Sequence, residues 1–223
     1  TIGIYIGIAF CPTKCSYCSF PAYLLRGKYA ERYDEYIGSI YHEIREIGQL
    51  TQELDLKINT IYIGGGTPSI LTAKEIDKLL KTVKENYNLG YLKEFTFEAG
   101  RIDTMDEGKL SVIKSYGVNK ISINPQSFNE KTLKIVNRYH NREQFDNVYK
   151  IAKNLGLEIN MDLILGLPRE NTDDILYTMD EISKYDMENL TIHNLAIKNA
   201  SRLNKENYIH KDVLDYKKIY EKI

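Results

Sequence analysis

The chain opens with Ile2-Gly3-Ile4-Tyr5-Ile6-Gly7-Ile8, a run in which branched apolar residues alternate with small or polar ones. This alternation has the period of a β-strand, so the isoleucines face one way and Gly3, Tyr5 and Gly7 face the other. Comparable runs recur along the chain and predict six strands, namely Ile2–Ile8, Thr60–Gly64, Glu94–Glu98, Lys120–Asn124, Glu158–Leu165 and Asn189–Ala196. Except in the sixth run, which does not sort cleanly, the alternation gives one apolar face and one small or polar face.

Amphipathic runs separate these strands and predict helices at about Tyr29–Gln49, Ala73–Asn86, Asp106–Ser115, Asn129–Val136, Arg142–Asn154 and Thr172–Lys184. Strands that alternate with helices form parallel sheets with crossover connections. A closed eight-stranded barrel fills its interior with branched apolar side chains, whereas a polar inner face suits an open barrel that holds a polar ligand. We therefore predict an α/β fold, an open six-stranded parallel (β/α)6 barrel that is part of a TIM barrel.

The composition limits the function classes. The formal net charge of −1 lacks the basic footprint that is typical of nucleic-acid binding. No apolar run approaches the ~20 residues that a membrane span needs, and no signal peptide opens the chain. One domain over residues 1–223 is the simplest organisation. Because residue 1 is Thr and the helical run Asp212–Ile223 has no cap, we expect a piece of a longer protein, trimmed at both ends.

Cys11, Cys15 and Cys18 are the only cysteines of the chain, and they form a C-x-x-x-C-x-x-C motif directly after the first strand. An odd number of clustered cysteines indicates a metal or redox role in a reducing compartment, here the cytoplasm. Three thiolates can hold three corners of an iron–sulfur cluster and leave one iron open for a ligand. The alternative is a structural zinc site completed by one of the four histidines, His42, His140, His193 and His210.

Other polar features follow the strand ends. Gly64-Gly65-Gly66-Thr67-Pro68 follows the second strand, and three glycines let the backbone approach a ligand closely. Glu98, Gln126 and Asp162 point inward by strand parity and would suit an ammonium group and sugar hydroxyls; the alternative is a surface Glu and a helix-capping Asp. Arg138 lies where a helix should end, so it is either a carboxylate clamp or a cation that complements the helix dipole.

These motifs carry a family resemblance. The cysteine motif, with an aromatic residue before its last cysteine, and the G-G-G-T-P run resemble the radical S-adenosylmethionine (SAM) superfamily. More narrowly, the chain resembles the oxygen-independent coproporphyrinogen III oxidases of the HemN group, especially the HemZ branch. Further matching stretches are Tyr5–Cys11, Phe97–Arg101, Ile121–Gln126, Asn160–Pro168 and Leu195–Lys198.

The resemblance implies the cofactors and the residues that hold them. Cys11, Cys15 and Cys18 would bind a 4Fe-4S cluster, whose open iron takes the amino and carboxylate groups of S-adenosylmethionine. The implied contacts are Gly65, Gly66, Thr67 and Glu98 for the methionine part, Arg138 for its carboxylate, Gln126 and Asp162 for the ribose, and Tyr17 and Ala196 for the adenine. Tyr5, assigned to catalysis, would lie beside the cofactor.

The resemblance also implies a reaction and partners. A one-electron reductant such as flavodoxin or ferredoxin would reduce the cluster, and cleavage of S-adenosylmethionine would yield a 5′-deoxyadenosyl radical. In the oxidases this radical attacks the propionates of a porphyrinogen, which become vinyl groups in heme biosynthesis. From this resemblance we expect that the family's C-terminal substrate-covering domain and its N-terminal extension lie outside these 223 residues.

Three positions depart from the oxidase pattern. Phe20 stands where the oxidases have a further cysteine, Gly7 where they have a histidine, and Ala9 where a proline is usual. Phenylalanine at the first position also occurs in the heme chaperones of the HemW group. Two hypotheses therefore stand beside each other: an oxidoreductase acting on coproporphyrinogen III, and a heme chaperone built on the same scaffold.

Overall fold

The computed structural model describes residues 1–209 and 214–222. Its strands, in chain order, are β1 (Ile2–Ile8), β2 (Phe10–Cys11), β3 (Tyr23–Leu24), β4 (Ile58–Gly65), β5 (Glu94–Glu98), β6 (Lys120–Ser122), β7 (Glu158–Leu165) and β8 (Asn189–Asn194). Six of them form one parallel sheet in the order β1-β4-β5-β6-β7-β8, while β2 pairs with β3 alone. Because β1 and β8 stand at opposite ends of this order, the predicted open six-stranded α/β barrel is confirmed.

The helices alternate with these strands. They are α1 (Tyr33–Glu53), α2 (Ala73–Asn86), α3 (Glu107–Ser115), α4 (Glu130–Ile135), α5 (Arg142–Asn154), α6 (Thr172–Ile182), α7 (Arg202–Lys205) and α8 (Tyr216–Tyr220). Short 3-10 turns lie at Gly27–Arg32, Pro68–Ile70, Leu89–Tyr91 and Ile102–Thr104. Capping boxes start α2, α5 and α6, where a side chain at the N-cap and one three residues later satisfy backbone N–H groups reciprocally. None of the described helices has both the length and the apolar character that crossing a bilayer demands.

The core lies between the sheet and the helices. The strand parity places apolar side chains there, and those of β4 to β7 on this face are almost fully buried: Ile61, Ile63, Phe95, Phe97, Ile121, Met161, Leu163 and Leu165. On β1 burial is complete only toward the carboxyl end, at Ile6 and Ile8. The opposite face of β1 and of β4 to β7 carries mainly small and polar residues. The helices therefore stabilise the sheet from one side and leave the other side for the site.

Several predicted elements differ in their bounds from the observed ones, β6 and α1 among them. The strand expected over Lys120–Asn124 ends at Ser122, because Pro125 has no N–H for the ladder and Gln126 adopts a left-handed backbone with φ 66°. The helix expected from Tyr29 begins at Tyr33, after a 3-10 turn.

The helical run predicted over Asp212–Ile223 lies partly outside the described residues. Of the run Asp212–Ile223, the structure shows a helix at Tyr216–Tyr220, and residues 210–213 and 223 are not described.

Candidate active site

A cavity of about 380 Å³ lies at the carboxyl ends of the strands and is called the strand-end cavity here. Parallel barrels bring the loops that follow their strands together at this end. Twelve of the thirteen site residues predicted from the sequence line it, namely Cys11, Cys15, Tyr17, Cys18, Gly65, Gly66, Thr67, Glu98, Gln126, Arg138, Asp162 and Ala196. Their assignment to particular parts of a cofactor stays a prediction.

The cysteine loop forms one wall and is fixed by contacts to distant parts of the chain. The Ser16 N–H donates to the Val136 carbonyl oxygen at 3.2 Å, and the Ser16 carbonyl accepts from the Leu203 N–H at 3.0 Å. Asn137, with φ 61°, accepts from the Thr13 hydroxyl at 3.1 Å on its carbonyl oxygen. The loop is therefore clamped between the end of α4 and the start of α7.

All three thiols face the strand-end cavity, with Cys11 and Cys15 buried and Cys18 half-buried. Burial raises the pKa of both Cys11 and Cys18. Over residues 1–209 and 214–222, no three His, Cys, Asp or Glu side chains converge as ligands of a single metal ion. Three thiolates that line one cavity can each bind a different iron of a 4Fe-4S cluster, so the donor set fits a cluster.

The glycines after β4 let the backbone pass against the cysteine loop. A Cβ at Gly66 would lie 2.7 Å from the Phe10 carbonyl oxygen and 3.0 Å from Cys11 Sγ. Gly65 has φ 109°, and a Cβ there would meet the backbone of Ile8 at 2.9 Å. Thr67 follows directly, and its hydroxyl donates to Cys11 Sγ at 3.2 Å.

Glu98 ends β5 and points into the strand-end cavity. Burial raises its pKa to about 7, although the Gly65 N–H that donates to it favours the charged form. At neutral pH this carboxyl group is poised between its two protonation states. A cation placed beside it would shift the balance toward the carboxylate.

Side-chain amides near Asp162 hold its carboxylate through their N–H groups, and amide oxygens nearby are left as hydrogen-bond acceptors. Asn124 and Asn160 donate their side-chain N–H groups to the two Asp162 carboxylate oxygens at 2.9 and 3.0 Å. In the part of the chain that the structure describes, the buried oxygens Asn124 Oδ1 and Gln126 Oε1 have no hydrogen-bond partner. Buried polar atoms normally have one, so these two oxygens fit a bound molecule that carries hydroxyl or amino donors.

Arg138 places a buried positive charge beside Tyr17 of the cysteine loop. It is buried, and it donates to the Tyr17 hydroxyl at 3.1 Å, to the Asn124 carbonyl at 2.9 Å and to the Gly100 carbonyl. Among the ion pairs formed by described residues, none involves Arg138. Asp103 interacts with its charge from beyond ion-pair distance, so the guanidinium has no carboxylate in direct contact, which fits an anionic ligand group in the strand-end cavity.

Tyr5 is the predicted site residue that the structure does not bring to the strand-end cavity. Its ring is 63% exposed and stacks on Tyr62 at 6.0 Å between centroids. Strand parity placed it on the correct face of β1, but it lies before the carboxyl end at which the cavity opens.

The histidines differ in whether they line the strand-end cavity. Burial and the Arg138 charge lower the pKa of His140 to about 3, and it does not line the strand-end cavity. His193 does line it, from β8. His42 is exposed on α1, and His210 lies outside the described residues.

Sequence reasoning missed Arg101 and Asn124 as site residues. Arg101 is buried, forms an ion pair with Asp103 at 2.7 Å and donates to Cys15 Sγ at 3.5 Å. The available signal was their position: both follow a strand at the carboxyl end of the sheet.

Comparisons with known proteins match this architecture. The model of the radical SAM superfamily matches residues 5–182. Proteins of this family use a 4Fe-4S cluster and S-adenosylmethionine, which confirms the predicted cofactors.

Two curated relatives differ in their names. The chain is 42% identical over 212 residues to the oxygen-independent coproporphyrinogen-III oxidase-like protein HemZ of Bacillus subtilis (strain 168), covering 94% of this chain and 42% of that protein. It is 34% identical over 194 residues to the heme chaperone HemW of Lactococcus lactis subsp. lactis (strain IL1403), covering 86% of this chain and 48% of that one. The chain thus spans less than half the length of either relative.

A solved structure shares the fold. Coproporphyrinogen III oxidase (HemN) from Escherichia coli, described as a radical SAM enzyme, superposes with a TM-score of 0.76 at 24% identity. The match covers 89% of this chain and 48% of that one.

Proposed function

The chain belongs to the radical SAM superfamily, and we propose that the strand-end cavity carries out reductive cleavage of S-adenosylmethionine. One observation carries this proposal: among the described residues, three thiols, two unpartnered amide oxygens and a buried arginine with no carboxylate in direct contact line one cavity. When bound, the cluster and S-adenosylmethionine supply a carbon-centred radical that abstracts hydrogen, and the protein supplies binding and orientation.

The chain's own residues would divide this work. Cys11, Cys15 and Cys18 would hold the cluster. Glu98, with its pKa raised to about 7 by burial, would lose its proton when the ammonium group of the ligand binds beside it. Arg138 would hold the ligand carboxylate.

The remaining contacts would orient the nucleoside. Asp162 is held by two amides and would accept from the ribose hydroxyls, together with Gln126 Oε1. Gly65, Gly66 and Thr67 would line the methionine part, and Tyr17 and Ala196 the adenine. All of these positions line the strand-end cavity.

We propose coproporphyrinogen III as the substrate, with oxidative decarboxylation of its propionates to vinyl groups. The support is the 42% identity to a protein named as coproporphyrinogen-III oxidase-like. A one-electron donor such as flavodoxin or ferredoxin would supply the electron that cleavage needs. Three free thiols that must stay available for a cluster suit the reducing cytoplasm.

A heme chaperone is the second candidate. Phe20, which replaces the further cysteine of the oxidases, lines the mouth of the strand-end cavity and is 66% exposed. An exposed aromatic ring there offers a flat apolar surface without a thiol. The 34% identity to a heme chaperone points the same way.

Anaerobic turnover of the full chain with coproporphyrinogen III, a reductant and S-adenosylmethionine distinguishes the two. Vinyl product together with 5′-deoxyadenosine supports the oxidase, and stoichiometric heme binding without decarboxylation supports the chaperone. Cys15→Ala is the control: we expect a folded protein that forms no 5′-deoxyadenosine. Cleavage that survives this substitution would contradict the ligand assignment.

A further inference from the structure

The three thiols of the cysteine loop receive different hydrogen-bond donors. Cys11 Sγ accepts from the neutral Thr67 hydroxyl at 3.2 Å, and Cys18 accepts from the backbone N–H of Phe20. Cys15 Sγ accepts from Nη1 of Arg101 at 3.5 Å and also from the neutral Tyr17 hydroxyl. Of these donors, Arg101 carries a full charge.

The Arg101 guanidinium is held in one orientation. It is 4% exposed, and the Asp103 carboxylate accepts from its Nε at 3.0 Å and from its Nη2 at 2.7 Å. Its Nη1 also donates to the Asn137 carbonyl at 3.3 Å. Bidentate pairing fixes the plane of the group, so Nη1 points at the sulfur with little freedom to turn away.

We propose that Arg101 sets the reduction potential of the cluster through Cys15, and that Asp103 both positions Arg101 and attenuates its charge. Hydrogen bonds to ligand sulfurs and the local charge tune the potentials of iron–sulfur clusters. A reduced cluster holds one more electron, so a buried cation beside a ligand thiolate favours reduction. The proposal rests on the proposed cluster ligation and is independent of the substrate.

Two variants separate this role from simple packing. Arg101→Met keeps most of the side-chain volume and removes the charge and the donor, so the cluster potential should shift to more negative values. Asp103→Asn keeps the shape and one oxygen that can accept from Arg101, so the guanidinium stays beside Cys15 with its charge less neutralised, and the potential should shift to less negative values. The measurement is a redox titration of the anaerobically reconstituted chain, followed by electron paramagnetic resonance without S-adenosylmethionine.

Arg142→Met is the matched control. Arg142 pairs with Asp146 and Glu181 outside the strand-end cavity, so its loss should leave the potential unchanged. Shifts of opposite sign support the proposal, since damage to packing would not reverse direction between the two variants. Equal potentials in wild type, Arg101→Met and Asp103→Asn overturn it.

Iron content separates the remaining outcomes. If Arg101→Met binds no iron, Asp103→Asn decides alone: a less negative potential supports the proposal and any other result overturns it. If neither variant binds iron, the pair is structural and the proposal is overturned. If wild type itself binds no iron, the proposed cluster site has failed.

Discussion

At the scale of single residues, the absent side chain of Gly66 determines how closely β4 approaches the cysteine loop. An added Cβ would meet two backbone oxygens, those of Phe10 at 2.7 Å and Ile8 at 3.0 Å, and also Cys11 Sγ at 3.0 Å. Gly66→Ala should therefore cost about 1–3 kcal/mol of stability. It should also displace Cys11, so most of the iron should be lost in anaerobic reconstitution, measured by iron and sulfide analysis.

Gly38→Ala provides the comparison. Gly38 lies inside α1, and nothing lies within 4 Å of a Cβ built there. Alanine is favoured over glycine in a helix interior, so this variant should gain about 0.5–1 kcal/mol of stability and keep its full iron content. Equal iron content in Gly66→Ala and wild type would refute the argument from close approach.

Strand parity predicted which face of the sheet a residue lies on. It did not predict whether that residue lies close enough to the carboxyl end of its strand to reach the strand-end cavity. Glu98 lies at the end of β5 and Gln126 lies beyond β6, so the correct face also placed them at the correct end. Tyr5 has the correct face and lies too early in β1 to reach the cavity. Arg101 precedes a 3-10 turn and belongs to no strand, so strand parity could not predict its contact with Cys15.

At the scale of elements, the six strands of the main sheet and helices α1 to α6 were all predicted, because each has enough turns or alternations to define its period. The bounds agree at β1, β5, β7, α2 and α5 and differ by one to four residues at the other predicted elements. The pair of β2 and β3 has two residues in each strand, which is too few for any period. Tertiary pairing next to the cysteine loop creates these strands, and local sequence does not.

The junction between α4 and α5 is the element on which the cysteine loop depends. Asn137 holds a left-handed backbone with φ 61°, and its side-chain amide donates to the Lys14 carbonyl at 3.2 Å. Asn137→Gly keeps the backbone and removes the hydrogen bond, which is worth about 0.5–1.5 kcal/mol. Asn137→Ala adds a left-handed penalty of about 1–2 kcal/mol. We expect stability in urea to fall in that order, with faster loss of iron in both.

Asp55→Ala is the matched control for the left-handed backbone penalty of Asn137→Ala. Asp55 has φ 48° and lies in the turn before β4, outside the strand-end cavity. This variant should lose stability through the same backbone strain and keep the iron as long as wild type does. If it releases iron as fast as Asn137→Ala, the contact between Asn137 and the loop has no special role.

At the scale of the whole molecule, two internal carboxyl groups couple stability to pH. Burial raises the pKa of both Glu98 and Glu170 to about 7. Glu170 is 1% exposed, and it accepts from the Ser127 hydroxyl at 2.6 Å and from the Leu167 N–H at 3.1 Å. In the unfolded chain both groups would return to a pKa of about 4.3. At a pH between these two values, both carboxyl groups therefore hold more protons in the folded chain than in the unfolded chain.

The sign follows from this proton difference. Between about pH 4.3 and the folded pKa of about 7, the folded chain binds more protons than the unfolded chain, so stability falls as pH rises. Above the folded pKa the loss is complete. A shift of about 2–3 pH units corresponds to roughly 3 kcal/mol for one carboxyl group.

Glu170→Gln removes the pH-dependent contribution to stability of one of the two carboxyl groups. The amide can accept from the Leu167 N–H and donate to the Ser127 hydroxyl, so the contacts of the folded state can persist. Relative to wild type, its free energy of unfolding in urea should rise by roughly 3 kcal/mol between about pH 5 and about pH 8. Glu46→Gln, on the exposed surface of α1, should follow the wild-type profile. A constant difference between Glu170→Gln and wild type over this range would show that Glu170 folds as a carboxylate and that burial does not govern its charge.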